Sequence, residues 1–295
     1  MTRALRIAVS SWSFHAPFYA GSFSLLNAPA AARRCGIPLL ELNDFMLPPP
    51  RFSRLRRPLL RLAGAPETLW RYSAATRVAL QRALAGAGVA CVAWTADSDL
   101  TVTGRWAWRA QRRYVAAAAA TAAALGCTLL RLTLGPRATA ANALLARRLA
   151  TLVTDTPPQL RLAVENHGGA GGDSRRMAAL VHAARDLLGG VGERRLGVCL
   201  DAGNLFGEPA DQLWTRLLPL ATQVHVKTRA FTPSGDEATI DYHRFFQLLH
   251  AAAYQGVLSI EYEGAGDPAV GIARSQALIL RHGPEFVSTT ACGRR

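Results

Sequence analysis

Eight short apolar runs, each followed by a longer segment of helical period, set the limits on what this chain can fold into. The runs are Arg6 to Ser11, Pro38 to Asn43, Val89 to Thr95, Thr128 to Thr133, Leu160 to Glu165, Leu196 to Asp201, Gln223 to Lys227 and Val257 to Glu261. Between them lie alanine-, leucine- and arginine-rich stretches such as Glu67 to Ala87, Arg105 to Leu125, Ala138 to Thr154 and Tyr242 to Ala253, and Pro268 to Arg281 closes the set. Glycine or proline marks the re-entry into several runs, at Gly36, Pro38, Gly88, Gly126 and Gly256. Strands apolar on both faces, alternating with helices, predict a parallel sheet covered by helices. Eight such units in 295 residues predict closure into one (β/α)₈ TIM barrel of the α/β class, a single domain spanning 1–295. The nucleotide-binding alternatives lose support: no Gly-x-Gly-x-x-Gly follows the first strand, and no phosphate-binding Gly-x-x-x-x-Gly-Lys-Ser/Thr occurs. The proline- and arginine-rich segment Pro48 to Pro58 reads as a long second βα loop near the active face.

Composition narrows the class further. Half the residues are apolar, which suits a large buried core. The N-terminus runs straight into a first strand rather than a signal peptide, and the alanine run Tyr114 to Leu125 is about half of what a membrane span needs. A soluble, cytoplasmic protein with no membrane partner is expected. Five scattered cysteines without a Cys-x-x-Cys pair argue against a disulfide framework or a thiolate zinc site. The net charge of +14 invites a nucleic-acid reading, but 33 of the 34 basic residues are arginines spread along the whole chain. Solvated helix faces with a biased residue supply account for that pattern, weak polyanion binding being the other reading, and no specific nucleic-acid partner is expected.

The acidic residues are few, 20 in all, yet several end strands that otherwise read as core: Glu41, Glu165, Asp201 and Glu261, with Glu263 just beyond. A carboxylate at the C-terminal tip of a barrel strand points to the catalytic mouth. Clustered there, unpaired carboxylates repel one another, and a cation removes the penalty. His225 occupies the same kind of position on the seventh strand. The steps from 165 to 201, 225 and 261 are 36, 24 and 36 positions, each about one βα unit. Any one of these residues alone is more readily a salt-bridge partner; four on successive strand ends point to a single ion. Three carboxylates and one imidazole suit Mn²⁺ or Mg²⁺, with Co²⁺ and Zn²⁺ as further options.

The segments Val164-Glu-Asn-His167, Cys199-Leu-Asp-Ala-Gly-Asn204, His225-Val-Lys227 and Leu258-Ser-Ile-Glu-Tyr-Glu263 resemble the xylose isomerase-like barrel superfamily. The closest likeness is to its sugar phosphate isomerase/epimerase group, which includes ketose 3-epimerases, hydroxypyruvate isomerases and inosose dehydratases. Ser10-Ser-Trp-Ser-Phe14 and Leu40-Glu-Leu-Asn-Asp44 look like that group's first two strands. The resemblance implies that Glu165, Asp201, His225 and Glu261 ligate one divalent metal. It also implies that Glu165 and Glu261 exchange protons with the carbons of a sugar or related hydroxy-ketone. Such proton transfer through an enediolate gives epimerisation, isomerisation or, with loss of a β-hydroxyl, dehydration of a keto-cyclitol type substrate.

Further residues are expected to bind substrate. Lys227 is the chain's lone lysine and shares a strand face with His225, where a compact ammonium can approach an oxyanion. Asn204 falls where related epimerases often carry a substrate-binding histidine. Arg131 interrupts an apolar fourth strand, to bind substrate oxygen or to pair with Glu41. His167 and Glu263 lie just beyond ligand positions, and Trp12 and Trp94 offer indoles for a sugar's apolar face or for core packing. An endonuclease IV-like DNA repair enzyme, which uses three zinc ions and further histidines, fits poorly because Asp201-Ala-Gly-Asn204 lacks the Asp-x-x-His such enzymes need. A non-catalytic polyol-binding protein with the same pocket remains the alternative of a different class, and a homo-oligomer is compatible with the sequence.

Overall fold

The computed structural model describes residues 6–48, 69 and 71–284. Eight parallel strands close on themselves in sequence order, β1 pairing with both β2 and β8. They are β1 (Arg6–Ser10), β2 (Leu39–Asn43), β3 (Ala90–Ala96), β4 (Leu129–Leu132), β5 (Arg161–Glu165), β6 (Leu196–Asp201), β7 (Ala221–Thr228) and β8 (Val257–Tyr262). Each is followed by a helix of the outer ring: α1 (Ala28–Arg34), α2 (Ala74–Ala87), α3 (Arg105–Ala124), α4 (Asn142–Asp155), α5 (Ser174–Leu188), α6 (Ala210–Leu217), α7 (Tyr242–Ala251) and α8 (Pro268–His282). The fold is therefore the (β/α)₈ barrel that the alternation predicts. The expected second βα loop falls almost wholly on 49–58, outside the described residues, as does the start of the helix expected from Glu67.

Local signals fix where helices begin and end. Ser73 accepts the amide of Thr76 at the start of α2, and Gly88 closes that helix at φ 62°, a left-handed cap that L side chains rarely adopt. Asp173, Asp241 and Asp267 accept first-turn amides of α5, α7 and α8, and Pro268 opens α8. No described helix is long and apolar enough to cross a membrane.

One expectation needs correction: the strands are not apolar on both faces. Their outward residues are, and Leu40, Leu42, Trp94, Leu130, Leu132, Val164, Leu200, Val226 and Ile260 pack under the helices in one large core. Inside the barrel, Ala8, Ala93, Leu129 and Val257 form a small apolar plug towards the strand N-termini. Above it, the inward positions of β2 to β8 turn polar: Glu41 and Asn43, Thr95, Arg131, Glu165, Asp201, His225 and Lys227, Ser259 and Glu261, all buried. Strand residues alternate between faces, so these odd-numbered positions share the interior. A buried polar layer must satisfy itself or hold something.

Candidate metal centre and substrate cavity

Glu41 sits mid-strand rather than at a strand tip, one layer below the mouth. Its carboxylate accepts five hydrogen bonds, from Arg131 Nε (2.8 Å), His225 Nε2 (3.0 Å), Gln223 Nε2 (2.7 Å), Ser259 Oγ (2.6 Å) and Thr95 Oγ1 (2.8 Å). Burial pushes its pKa up, but His225 and Arg131 outweigh that and hold it well below the usual carboxylate range. Saturated in this way, Glu41 is not part of the cavity wall. Its position corrects the expectation and makes it an orienting group.

That orientation matters for His225. With Nε2 against Glu41, the ring turns Nδ1 towards Glu261 Oε1 (3.4 Å), Glu165 Oε1 (3.8 Å) and Asp201 Oδ2 (3.8 Å). One ligand atom each from Glu165, Asp201, His225 and Glu261 lies within 4.8 Å of the other three, and all four residues are buried. His225 Nδ1 is buried without a hydrogen-bond partner among the described residues, whereas Asp201 Oδ2 already pairs with the Lys227 ammonium. A carboxylate holding the far nitrogen of an imidazole whose near nitrogen is bare is the usual outer support of a metal-bound histidine. The donor set, three hard carboxylates with one imidazole, fits a divalent ion.

Two cations stand close to these ligands. Arg131 Nη1 pairs with Glu165 and Nη2 donates to Asn43 Oδ1 (3.0 Å). Burial works against its charge, but Glu165 and Glu41 hold its pKa above its ordinary value. Arg131 thus makes the expected pair with Glu41, and it also lines the cavity. Lys227 Nζ lies 2.8 Å from Asp201 Oδ2 and 3.1 Å from Glu261 Oε2, Glu263 Oε1 and Asn204 Oδ1. Against burial, Asp201, Glu261 and Glu263 raise its pKa, so it remains an ammonium.

Over this centre opens a cavity of about 280 Å³. Trp12, Tyr19 and Phe45 make an aromatic wall, with ring centroids 6.0 Å and 5.4 Å from Trp12. The indole Nε1 of Trp12 donates to Glu263 Oε1 (2.9 Å), which fixes the ring's tilt. Arg131, Glu165, His167, Lys227, Glu261 and Glu263 line the same space, as their sequence positions suggest. Trp94 does not. Its neighbour Thr95 takes the inward position, so the indole points out to the helices, fully buried, donating to Tyr72 Oη (2.8 Å). Asn204 lies behind the Lys227 ammonium and is not part of the wall.

Several contributors escape notice in the sequence. Asn166 pins the mouth by donating to the carbonyls of Asp201 and Asn204 and accepting the Asp201 amide (2.7 Å). Asp44, fully buried, accepts from Tyr72 Oη (2.6 Å) and Tyr114 Oη (2.5 Å), yet burial pushes its carboxyl up to about 7. Parity was the available signal for some of them: Gln223 and Ser259 fall in step with His225 and Glu261.

Comparisons with known proteins place the chain. No curated protein matches it in sequence. Among solved structures, D-psicose 3-epimerase superposes with a TM-score of 0.67 at 11% identity, over 94% of this chain and 99% of that one. The 3-keto-D-glucoside 4-epimerase of E. coli gives 0.62 at 13% identity, over 94% and 99% of the two chains. A probable 3-DHS dehydratase of Bacillus anthracis gives 0.64 at 12%, over 93% and 98%. At such identities the likeness speaks for the fold alone. The sequence itself matches the family described as xylose isomerase-like TIM barrel over residues 57–285, and the chain belongs to that family.

Proposed function

We propose that the protein is a divalent-metal-dependent isomerase or epimerase acting on a sugar or related hydroxy-ketone. The observation that carries this reading is the bare His225 Nδ1 facing three buried carboxylates, with Glu41 holding the ring from behind. Glu165, Asp201, His225 and Glu261 would hold the ion, Mn²⁺ or Mg²⁺ first. Once bound, such an ion draws electron density from a carbonyl and its neighbouring hydroxyl and so acidifies the C–H between them.

The protein's own groups would do the rest. Glu165 and Glu261 come from β5 and β8, the two ends of the four-strand arc, and both line the cavity. A carbon held between them can lose a proton to one carboxylate and regain one from the other, which inverts its configuration. The Trp12 indole offers its face to the sugar's C–H surface. The Lys227 ammonium, within 3.1 Å of Glu261, is placed to donate to an oxygen on which charge develops. That same ammonium favours a second reading, loss of a β-hydroxyl after proton removal, since it can protonate a leaving hydroxide. The solved neighbours bear names of both kinds, epimerase and dehydratase.

The test is a panel of ketoses and keto-cyclitols incubated in D₂O with the Mn²⁺-loaded protein. Deuterium at the carbon next to the carbonyl, lost on chelation and in Glu261→Gln, is the expected result; a water loss distinguishes dehydration. Tight sugar binding with no exchange from any substrate would replace the enzyme with a sugar-binding protein.

A further inference from the structure

We infer that the substrate is an uncharged two-ring glycoside, its keto ring in the cavity above the metal centre and its second ring in a cleft beside it. This rests on the function just proposed and names the substrate class for the same site. A second cavity of about 380 Å³ lies against the first, and Asp97, Thr133 and His167 line both. Pockets for drug-sized ligands run roughly 300–1,000 Å³, so the first cavity alone is sized for a single ring, while the pair reaches well into that range.

The second cleft is built rather than left over. Its walls are the loops after β3, β4 and β5, fastened to one another. Ser98 Oγ donates to the Thr133 carbonyl (2.7 Å), Thr133 Oγ1 to the Ser98 carbonyl (2.5 Å), and the Ala170 amide to the Gly135 carbonyl (3.0 Å). The loops meet so closely that only glycine fits. At Gly135 (φ 108°) a Cβ would lie 2.1 Å from Asp99 Oδ1, and at Gly169 (φ 57°) it would lie 2.5 Å from the Gly135 carbonyl oxygen. Both φ values are also ones that L side chains rarely adopt. A cleft walled this way keeps its shape without a ligand, which lowers the entropic cost of binding.

Charge decides between a sugar ring and a phosphate. Among the described residues lining the first cavity, the two strong cations are already committed: Arg131 to Glu41 and Glu165, Lys227 to Asp201, Glu261 and Glu263. The second cleft presents Asp97 and Asp99 and no lysine or arginine among its described lining. A phosphate there would meet like charge, with no opposing fork among the described lining residues to hold it. Sugar hydroxyls suit it, since they donate to carboxylates and to the imidazole or accept from it.

The experiment uses the full chain loaded with Mn²⁺ and three matched substrates: a free keto-hexose, its 6-phosphate, and a disaccharide carrying the same keto ring. Solvent deuterium exchange is expected at least ten-fold higher in kcat/KM for the disaccharide than for the free sugar, with the phosphate slowest. Pro136→Trp, which intrudes on the second cleft alone, should bring the ratio of disaccharide to free sugar near one, while Pro136→Ala preserves it and controls for folding. Exchange on the free sugar with no disaccharide advantage, or a preference for the phosphate, overturns the inference and leaves the proposed function standing. Binding of an unreactive disaccharide by calorimetry separates the reverse case. Ten-fold tighter binding than the monosaccharide, lost in Pro136→Trp, without exchange from any substrate, upholds the cleft and defeats the catalytic reading.

Discussion

Glu41 illustrates how far a single side chain's role depends on which layer it occupies. Removing a partner from a buried, hydrogen-bonded ion cluster costs about 3–5 kcal/mol, because the remaining charges lose their counter-charge in a dry interior. Glu41→Ala should therefore lower unfolding free energy by about that amount in denaturant titration, and should weaken Mn²⁺ binding by freeing the His225 ring to rotate. Asp44 yields a pH signature. Its carboxyl titrates at about 7 in the folded protein against 3.8 for the free group. The folded state thus keeps a proton on Asp44 that the unfolded chain sheds, so the contribution of Asp44 to stability is greatest below pH about 4 and is lost as pH rises towards 7, opposite in sign to those of Glu41 and Glu261, whose carboxyls are held low. The decline is on the order of 4 kcal/mol. Asp44→Asn should flatten that slope in melts taken across pH 4–7; an unchanged slope would assign it to other groups. The cluster of Glu165, Asp201, His225 and Glu261 was legible because each lies at or near the C-terminal end of its strand, a position set by local pattern. Trp94 was misplaced because a shift of one residue along a strand reverses inside and outside, whereas Glu41 faces inward as expected but lies two residues short of the strand's end, one layer down. Asp44 gave no signal at all, since its tyrosine partners lie 28 and 70 residues away.

At the scale of elements, the strands were the readable part: every expected run overlaps an observed strand, with ends that coincide or differ by at most two residues. Helices were harder. The segment from Ser174 to Leu188 carries arginines and aspartate among its apolar residues, yet it forms α5, with Met177, Leu180, Val181 and Ala184 turned inward. Tertiary packing against α4 and β6, rather than composition, decides that helix. Its start hangs on Asp173, whose side chain accepts the Arg176 amide at 3.0 Å. Asp173→Ala should cost about 1 kcal/mol of stability, read as a lowered melting temperature, with Asp173→Asn near wild type. Because α5 follows directly on the Glu165–Gly172 loop, hydrogen exchange in that loop should quicken in the alanine variant.

For the whole molecule, the arginine excess has a structural use that net charge alone does not show. Arg195 donates to the carbonyls of Leu160, Val153, Thr156 and Pro157, Arg185 to that of Leu196, and Arg148 to those of Leu100 and Val102. These guanidinium groups close loop and helix ends, as lysine's single ammonium cannot. Metal should act on the whole fold as well: an ion bound only by the native state adds about 2.7 kcal/mol at a hundred-fold excess over its Kd. Mn²⁺ should raise the melting temperature and EDTA reverse it, and the effect should vanish in Asp201→Ala. The four proposed ligands all lie on β5 to β8, while Glu41, Arg131 and Trp12, which aim and enclose them, belong to β1 to β4 and the turn after β1. A chain severed between β4 and β5 would carry every donor atom on one fragment and the means of aligning them on the other. Reassembly of the two halves, and nothing short of it, should restore ion binding, which makes the intact cylinder itself a condition of the chemistry.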